Sequence, residues 1–271
     1  MKSLWLRAWA YGSGLLVLAV VFFVFLYILV KGGGVISPEF MLDYPKGIPL
    51  GMSGGIFPAI MGSILLGIVA AAVASFFSLA TALYLSFYCH NRLIYEVNRF
   101  LIQCVSGIPS IVLGLFGYGF FLMDLGLPRS VLSAGLTLAV MIIPFITLRL
   151  EKIFREFSRE TIEASLDLGI SLSYTICVVL LPSCRRAIAT TIALASAFAM
   201  GATAPIMYTG AVLYTGYVPD LTDPFMALPY HLYILVNDGY SVEMAYGTAF
   251  VLIALLLLIN LLCQSLKERK A

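Results

Sequence analysis

The chain has 271 residues, of which 61% are hydrophobic and only 11% charged, with a formal net charge of +2 and a mean hydropathy of +1.01. A soluble globular domain carries roughly 25% charged residues, so the composition sets that class aside and makes lipid the solvent for most of the chain. The small net charge also gives no support to nucleic-acid binding, because the basic residues flank apolar runs and form no stripe with stacking aromatics.

Crossing about 30 Å of hydrocarbon takes about 20 mainly apolar residues. Charge-free runs of that length predict six transmembrane helices, at 9–30, 56–88, 100–123, 130–148, 187–219 and 244–266. The second and fifth exceed one span, so each is expected to include an interfacial or irregular part at one end. No polar stretch is long enough to bury a core of its own. The expectation is therefore an all-α, polytopic membrane protein whose residues 1–271 form a single transmembrane domain.

The first run follows Lys2 and Arg7 and ends in Lys31-Gly32-Gly33-Gly34. It is longer than the roughly 7–15 apolar residues of a secretory signal and ends in no small-residue cleavage site, so it reads as a retained helix. Residues 32–55, with Pro38, Pro45 and Pro49, read as an ordered loop. Gly62 through Ala82 is rich in Gly, Ala and Ser, which suits a helix packed closely inside a bundle.

Basic residues set the expected orientation. With the N-terminus inside, the inner side holds Lys2, Arg7, Arg92, Arg99, Arg149, Lys152, Arg155, Arg159, Arg185, Arg186, Lys267, Arg269 and Lys270, and the outer side only Lys31, Lys46 and Arg129. The positive-inside rule then places both termini in the cytoplasm. Cys89, Cys104, Cys177, Cys184 and Cys263 include no C-x-x-C pair, and His90 and His231 fall on opposite sides of the membrane, so neither a disulfide framework nor a metal site is expected.

The inner segment 149–186 joins the fourth and fifth spans. Glu151, Lys152, Arg155, Glu156, Arg159, Glu160 and Glu163 place opposite charges three and four residues apart, which supports a helix. Ile162 and Leu166 lie on one face of it, and Gly169 is a candidate C-terminal stop. A second apolar helix starts near Ser171 and meets Pro182. This describes a short helix, a turn and a return to the membrane, held where a cytoplasmic partner could grip it.

These residues also carry a family resemblance. Glu163-Ala164-Ser165, Gly169 six residues after the glutamate, and Val179-x-Leu181-Pro182 resemble the E-A-A, G, I-x-L-P signature of ABC importer permeases, with Ser165 and Val179 as conservative departures. The resemblance implies that Glu163, Ala164, Ser165, Gly169, Leu181 and Pro182 belong to a coupling helix and its return, seated in a cleft of a cytoplasmic ATPase. Ser37-Pro38-Glu39-Phe40, Gly54-Gly55-Ile56-x-Pro58-Ala59-Ile60, Ser106-Gly107-Ile108-Pro109-Ser110-Ile111-Val112-x-Gly114-Leu115-Phe116, Thr203-Ala204-Pro205 and Leu228-Pro229 are similar to the phosphate-specific (Pst) permeases, and to their A-type subunit in particular. That implies a homologous (PstC-like) permease subunit or a second copy of this chain, two P-loop ATPase subunits, an extracytoplasmic substrate-binding protein, and residence in a bacterial or archaeal cytoplasmic membrane.

One stretch departs from the family. Where it has R-A-x-G-E-T-A-P, this chain has Phe198-Ala199-Met200-Gly201-Ala202-Thr203-Ala204-Pro205, so both intramembrane charges are missing. Ionisable groups at that depth are costly and by default functional. Either a sister permease supplies the charge, or the cargo is another small anion such as molybdate, tungstate or sulfate. Pro205 lacks an N–H and frees the carbonyl near Gly201, while Thr203 and Thr209 offer hydroxyls. These residues and Ser106, Pro109 and Ser110 either line the pathway or simply kink their helices.

Other chemistries find little support. The spans at 9–30, 56–88 and 187–219 hold no carboxylate of the kind an ion-coupled carrier needs. Gly51-Met52-Ser53-Gly54-Gly55 fits G-x-S-x-G without the strand, helix and partners of a nucleophile elbow. Gly117-Tyr118-Gly119 echoes a potassium filter but follows Leu115-Phe116, not Thr-Val. No G-x-x-x-x-G-K-[ST] occurs, so ATP hydrolysis belongs to a separate polypeptide, and neither a catalytic residue nor a cofactor is expected.

Overall fold

A computed structural model describes residues 2–47, 53–157, 159–239 and 241–268. The apolar runs become helices, as they must where no water can satisfy backbone N–H and C=O groups. Helix α1 (Lys2–Gly32) is followed by a short helix α2 (Pro38–Leu42) and a two-residue ladder, β1 (Pro45–Lys46) antiparallel to β2 (Ser53–Gly54). Gly51 and Met52 of the G-x-S-x-G stretch, and Pro49, lie outside the described residues. Helix α3 (Phe57–Leu83) closes in a π turn at Tyr84–Tyr88, and α4 (Arg92–Ser106) precedes α5 (Ser110–Gly117), itself extended by a π stretch at Tyr118–Asp124. Gly117-Tyr118-Gly119 is thus helical backbone. Then come α6 (Val131–Glu156), α7 (Arg159–Asp167), α8 (Leu172–Thr175) with a π turn at Ile176–Leu180, α9 (Leu181–Met200), α10 (Ala204–Thr209), α11 (Leu228–Asn237) and α12 (Val242–Glu268).

Five helical runs are long and apolar enough to cross a membrane, Leu6–Gly32, Phe57–Tyr88, Val131–Glu156, Leu172–Met200 and Val242–Cys263, and a sixth if the bent pair α4–α5 counts as one span. Three boundaries differ from those expected. The span at 100–123 is not straight: the chain turns by 97° between Ser106 and Ser110. Pro109 withholds an N–H there and Ile108 before it is steered away from helical backbone. The span at 187–219 begins instead at Leu172, because Pro182 sits in the first turn of α9 just after a π turn and the helix runs through it. Its far end stops at Met200, and Gly210 onward is irregular chain tied by Val212 N–H to Phe225 O at 2.9 Å and Phe225 N–H to Gly210 O at 3.2 Å. The loop at 149–186 shrinks accordingly, since Arg149 through Glu156 prolong α6, and α6 and α7 are separate helices parted at Phe157, which has extended backbone (φ −65°, ψ 141°).

The core is built on α3, α6 and α9. Leu66, Ala70, Ala74, Leu138, Ile142, Ile146, Ala195 and Ala199 are buried together, and small residues let the backbones approach. Polar links cross the interfaces: Ser78 Oγ donates to Ile143 O at 3.1 Å and Ser196 Oγ to Gly67 O at 3.0 Å. A second cluster, Phe40, Ile56, Ala59, Met226, Leu228, Leu235, Met244 and Leu252, closes the end that carries α2 and the β ladder. There Leu228 N–H donates to Ser63 Oγ at 2.8 Å, and Gly62 lies against the Met226 carbonyl so closely that a side chain has no room. Helix α1 stands at the periphery, leaning on α12 where Gly32 meets the Tyr246 carbonyl, with none of its membrane-length window buried.

Candidate functional site

At the end opposite α2, α7 projects beyond α6 and α9. Its sequence folds as it does because of Gly169, whose φ of +78° is the left-handed conformation that side chains resist. Ile170 N–H donates to Ser165 O at 3.1 Å and Gly169 N–H to Leu166 O at 2.9 Å, the paired bonds of a Schellman motif. Ser171 then caps α8, accepting from Tyr174 N–H at 3.4 Å, so the chain reverses within a few residues. Ile162 and Leu166 turn the same way, lining with Glu163, Phe154, Phe157 and Leu172 a cavity of about 520 Å³ under the π turn of α3. The opposite side is open: Ala164 and Gly169 are exposed and Leu168 is 80% exposed. Pro182 is exposed and Leu181 half-buried on the first turn of α9. Leu168 thus stands bare in the turn just past α7, on the side away from the cavity.

The two breaks in the spans meet. Gly114 of α5, one turn beyond Ser110, lies against α10: a side-chain carbon there would sit 2.9 Å from Ala204 O and 2.9 Å from Pro205 Cα. The residues expected to line a pathway divide at this contact. Ser106, Pro109, Ser110 and Gly201 are exposed and Thr203 is half-buried, on open surface, with Ser106 Oγ donating to Gln103 O at 2.7 Å. Pro205 and Thr209 are buried in packing, Thr209 Oγ1 donating to Pro205 O at 2.9 Å while its carbonyl accepts from Ser130 N–H at 3.2 Å. Phe198, in place of the family's arginine, is 63% exposed on the outward face of α9, and Ala202 is half-buried one turn on.

Sequence reasoning missed a polar cluster beside α7. Glu151 reads as part of a solvated charged helix, yet it is only 3% exposed. Its Oε1 accepts from Tyr95 OH at 2.6 Å, pairs with Arg155 Nε at 3.1 Å and lies 3.9 Å from Arg99 Nη1. The Arg155 guanidinium stacks 4.5 Å over the Tyr95 ring. The available signal is the register of α6, in which Glu151 falls in line with the buried Thr137, Pro144 and Thr147 at seven- and four-residue spacings.

Comparison with known proteins agrees with this architecture. The family model for the binding-protein-dependent transport system inner membrane component matches residues 74–269. The phosphate transport system permease protein PstA of Mycobacterium leprae is 31% identical over 221 residues, 79% of this chain and 71% of that protein. PstA 1 of Mycobacterium tuberculosis is 29% identical over 216 residues, covering 79% and 71%. Among solved structures, the MetNI methionine ABC transporter in an inward-facing conformation superposes with a TM-score of 0.64 at 18% identity, covering 79% of this chain and 95% of that one, a likeness of fold. This chain belongs to the binding-protein-dependent transport system inner membrane components, and among them to the phosphate transport system permeases of the PstA type.

Proposed function

We propose that this chain is one half of the membrane pathway of an ATP-driven importer of inorganic phosphate, coupled through α7 to a separate ATPase. The observation that carries the reading is α7 itself: a helix fixed by the Gly169 turn, packed on one side over a cavity and bare on the other at Ala164 and Leu168. Two cytoplasmic P-loop ATPase subunits would receive that bare side, with Glu163, Ala164, Ser165 and Gly169 passing their closure to α6 and to α9 through Leu181 and Pro182. In this reading the cytoplasm lies at the α7 end, which the positive-inside rule favours: Arg92, Arg99, Arg149, Lys152, Arg155, Arg185 and Arg186 gather there, against Lys31, Lys46 and Arg129 at the other. A homologous permease or a second copy completes the pore against the open residues Ser106, Pro109, Ser110, Gly201 and Thr203, and an extracytoplasmic binding protein delivers the cargo at the end that carries α2.

The test is ATP hydrolysis by the reconstituted complex with its binding protein, comparing phosphate, sulfate, molybdate and tungstate. Stimulation by phosphate alone is expected. Stimulation by another anion alone would keep the importer and replace its cargo, which is the outcome Phe198 and Ala202 would then explain.

A further inference from the structure

A second cavity, of about 460 Å³, lies between α6 and α9 toward the α7 end. Arg149 and Arg186 line it, with Ser183, Thr190, Phe145 and Leu194. Both arginines are exposed in the isolated chain, neither forms an ion pair among the described residues, and no carboxylate lines the cavity. Two like charges facing one cavity repel each other unless an anion sits between them. We infer that this cavity is an oxyanion site, the last station of the transported phosphate before the cytoplasm.

The position of Arg186 supports this. Arg186, Thr190 and Leu194 line the cavity together along two turns of α9, whereas Phe198, 63% exposed, lies farther along the helix and about a third of the way around it. Arg186 is about 18 Å along the helix from Phe198, at 1.5 Å per residue. A cationic group is absent at Phe198, but α9 keeps one at Arg186, about three turns nearer the α7 end, and Arg149 of α6 doubles it across the cavity.

The hydroxyls add chemical selectivity. Ser183 Oγ donates to Val179 O at 2.6 Å and Thr190 Oγ1 donates to Arg186 O at 2.8 Å. With their hydrogens committed to the helix, both oxygens face the cavity as acceptors. Phosphate near neutral pH keeps a P–O–H to donate to them, and two guanidinium groups supply donors to its other oxygens. Sulfate and a lipid phosphodiester have no such proton.

This inference rests on the importer reading, and the experiment separates the two. The full complex with its binding protein is reconstituted in vesicles of phosphatidylcholine alone and of phosphatidylcholine with phosphatidylglycerol, and phosphate uptake and ATP hydrolysis are measured together. In the double variant Arg149→Gln/Arg186→Gln, phosphate moved per ATP is expected to fall about tenfold in both lipid mixtures while hydrolysis persists, and Arg149→Lys/Arg186→Lys is expected to restore most of it. Thr190→Val, which keeps the shape and removes the acceptor, is expected to lower uptake by a smaller factor. Unchanged uptake per ATP in the glutamine double variant overturns the site and leaves the importer standing. A deficit confined to vesicles with phosphatidylglycerol also overturns it, assigning the arginines to lipid headgroups. A wild-type complex that hydrolyses ATP and carries no phosphate overturns the phosphate cargo and this site with it.

Discussion

Tyr95 of the amphipathic helix α4 donates its phenolic hydrogen to the buried carboxylate of Glu151, 2.6 Å away near the end of α6. That bond, with Arg99 and Arg155 on the same carboxylate, fastens α4 to the helix that leads into α7. A carboxylate with so little water is tolerable only when paired and hydrogen-bonded. Tyr95→Phe is therefore expected to cost about 1.5–3 kcal/mol, as for a hydrogen bond to a charged group. Glu151→Ala should cost a similar amount and no more, because Arg99 and Arg155 are 44% and 49% exposed and rehydrate when their partner leaves. Thermal unfolding followed by thiol exposure at buried Cys184 measures both. Equal stability of Tyr95→Phe and wild type would show that the cluster does not hold α4.

The contact of Gly114 with the Ala204 carbonyl and Pro205 is backbone against backbone, so no flexible side chain can give way. Gly114→Ala is expected to cost about 1–3 kcal/mol by overpacking and to lower phosphate uptake with it. Gly119, five residues on, faces open space, and Gly119→Ala should leave uptake near wild type. Equal behaviour of the two variants would mean that α5 and α10 need not touch during transport.

Hydropathy captures α1, α3, α6 and α12 because a charge-free run of membrane length leaves a backbone few options. It does not capture where a run breaks. Pro109 and Pro182 both interrupt apolar stretches, yet the chain turns by 97° at the first and stays helical through the second, after a π turn. The difference lies in tertiary packing: Ile176, Leu180 and Cys184 around Pro182 are buried against the α3–α6 core and hold the helix, whereas Ser106 through Ser110 are exposed. Starting the third span at Phe100, just past the last charge, also cuts α4 in half, since one amphipathic helix runs from Arg92 to Ser106 with all its charges in its first half. Gly169 was legible because a single backbone conformation accounts for it. The partners of Glu151 were not, since Tyr95 and Arg99 arrive from a helix 56 and 52 residues away in sequence, and the register of α6 marks only that the carboxylate turns inward.

Ser63 offers a third test. Its hydroxyl oxygen is the acceptor for Leu228 N–H at the start of α11, and both residues are fully buried. Ser63→Ala removes the acceptor and leaves a buried donor unpaired, at an expected cost of about 1–3 kcal/mol. The loss should appear as earlier unfolding of the purified permease and as proteolysis between residues 210 and 227, where irregular chain is held mainly by α11 and the α6 start. A variant as stable as wild type would mean that Leu228 N–H finds another partner.

The coupling assignment turns on Gly169 and Glu163. Proline at 169 would need φ near −65°, against +78°, and would delete the N–H that Leu166 O accepts, so Gly169→Pro dissolves the stop of α7 without touching a span. The expected result is an assembled complex that no longer takes up phosphate. Glu163→Lys reverses a charge at the rim of the 520 Å³ cavity and should instead weaken ATPase docking, as should Leu168→Asp on the bare side, which leaves the permease's own packing alone because Leu168 is 80% exposed. Copurification of the ATPase and uptake in vesicles read the two effects separately. If Gly169→Pro and Glu163→Lys both transport normally, α7 does not carry the motion of the ATPase, and the exposed leucine beside it needs another partner.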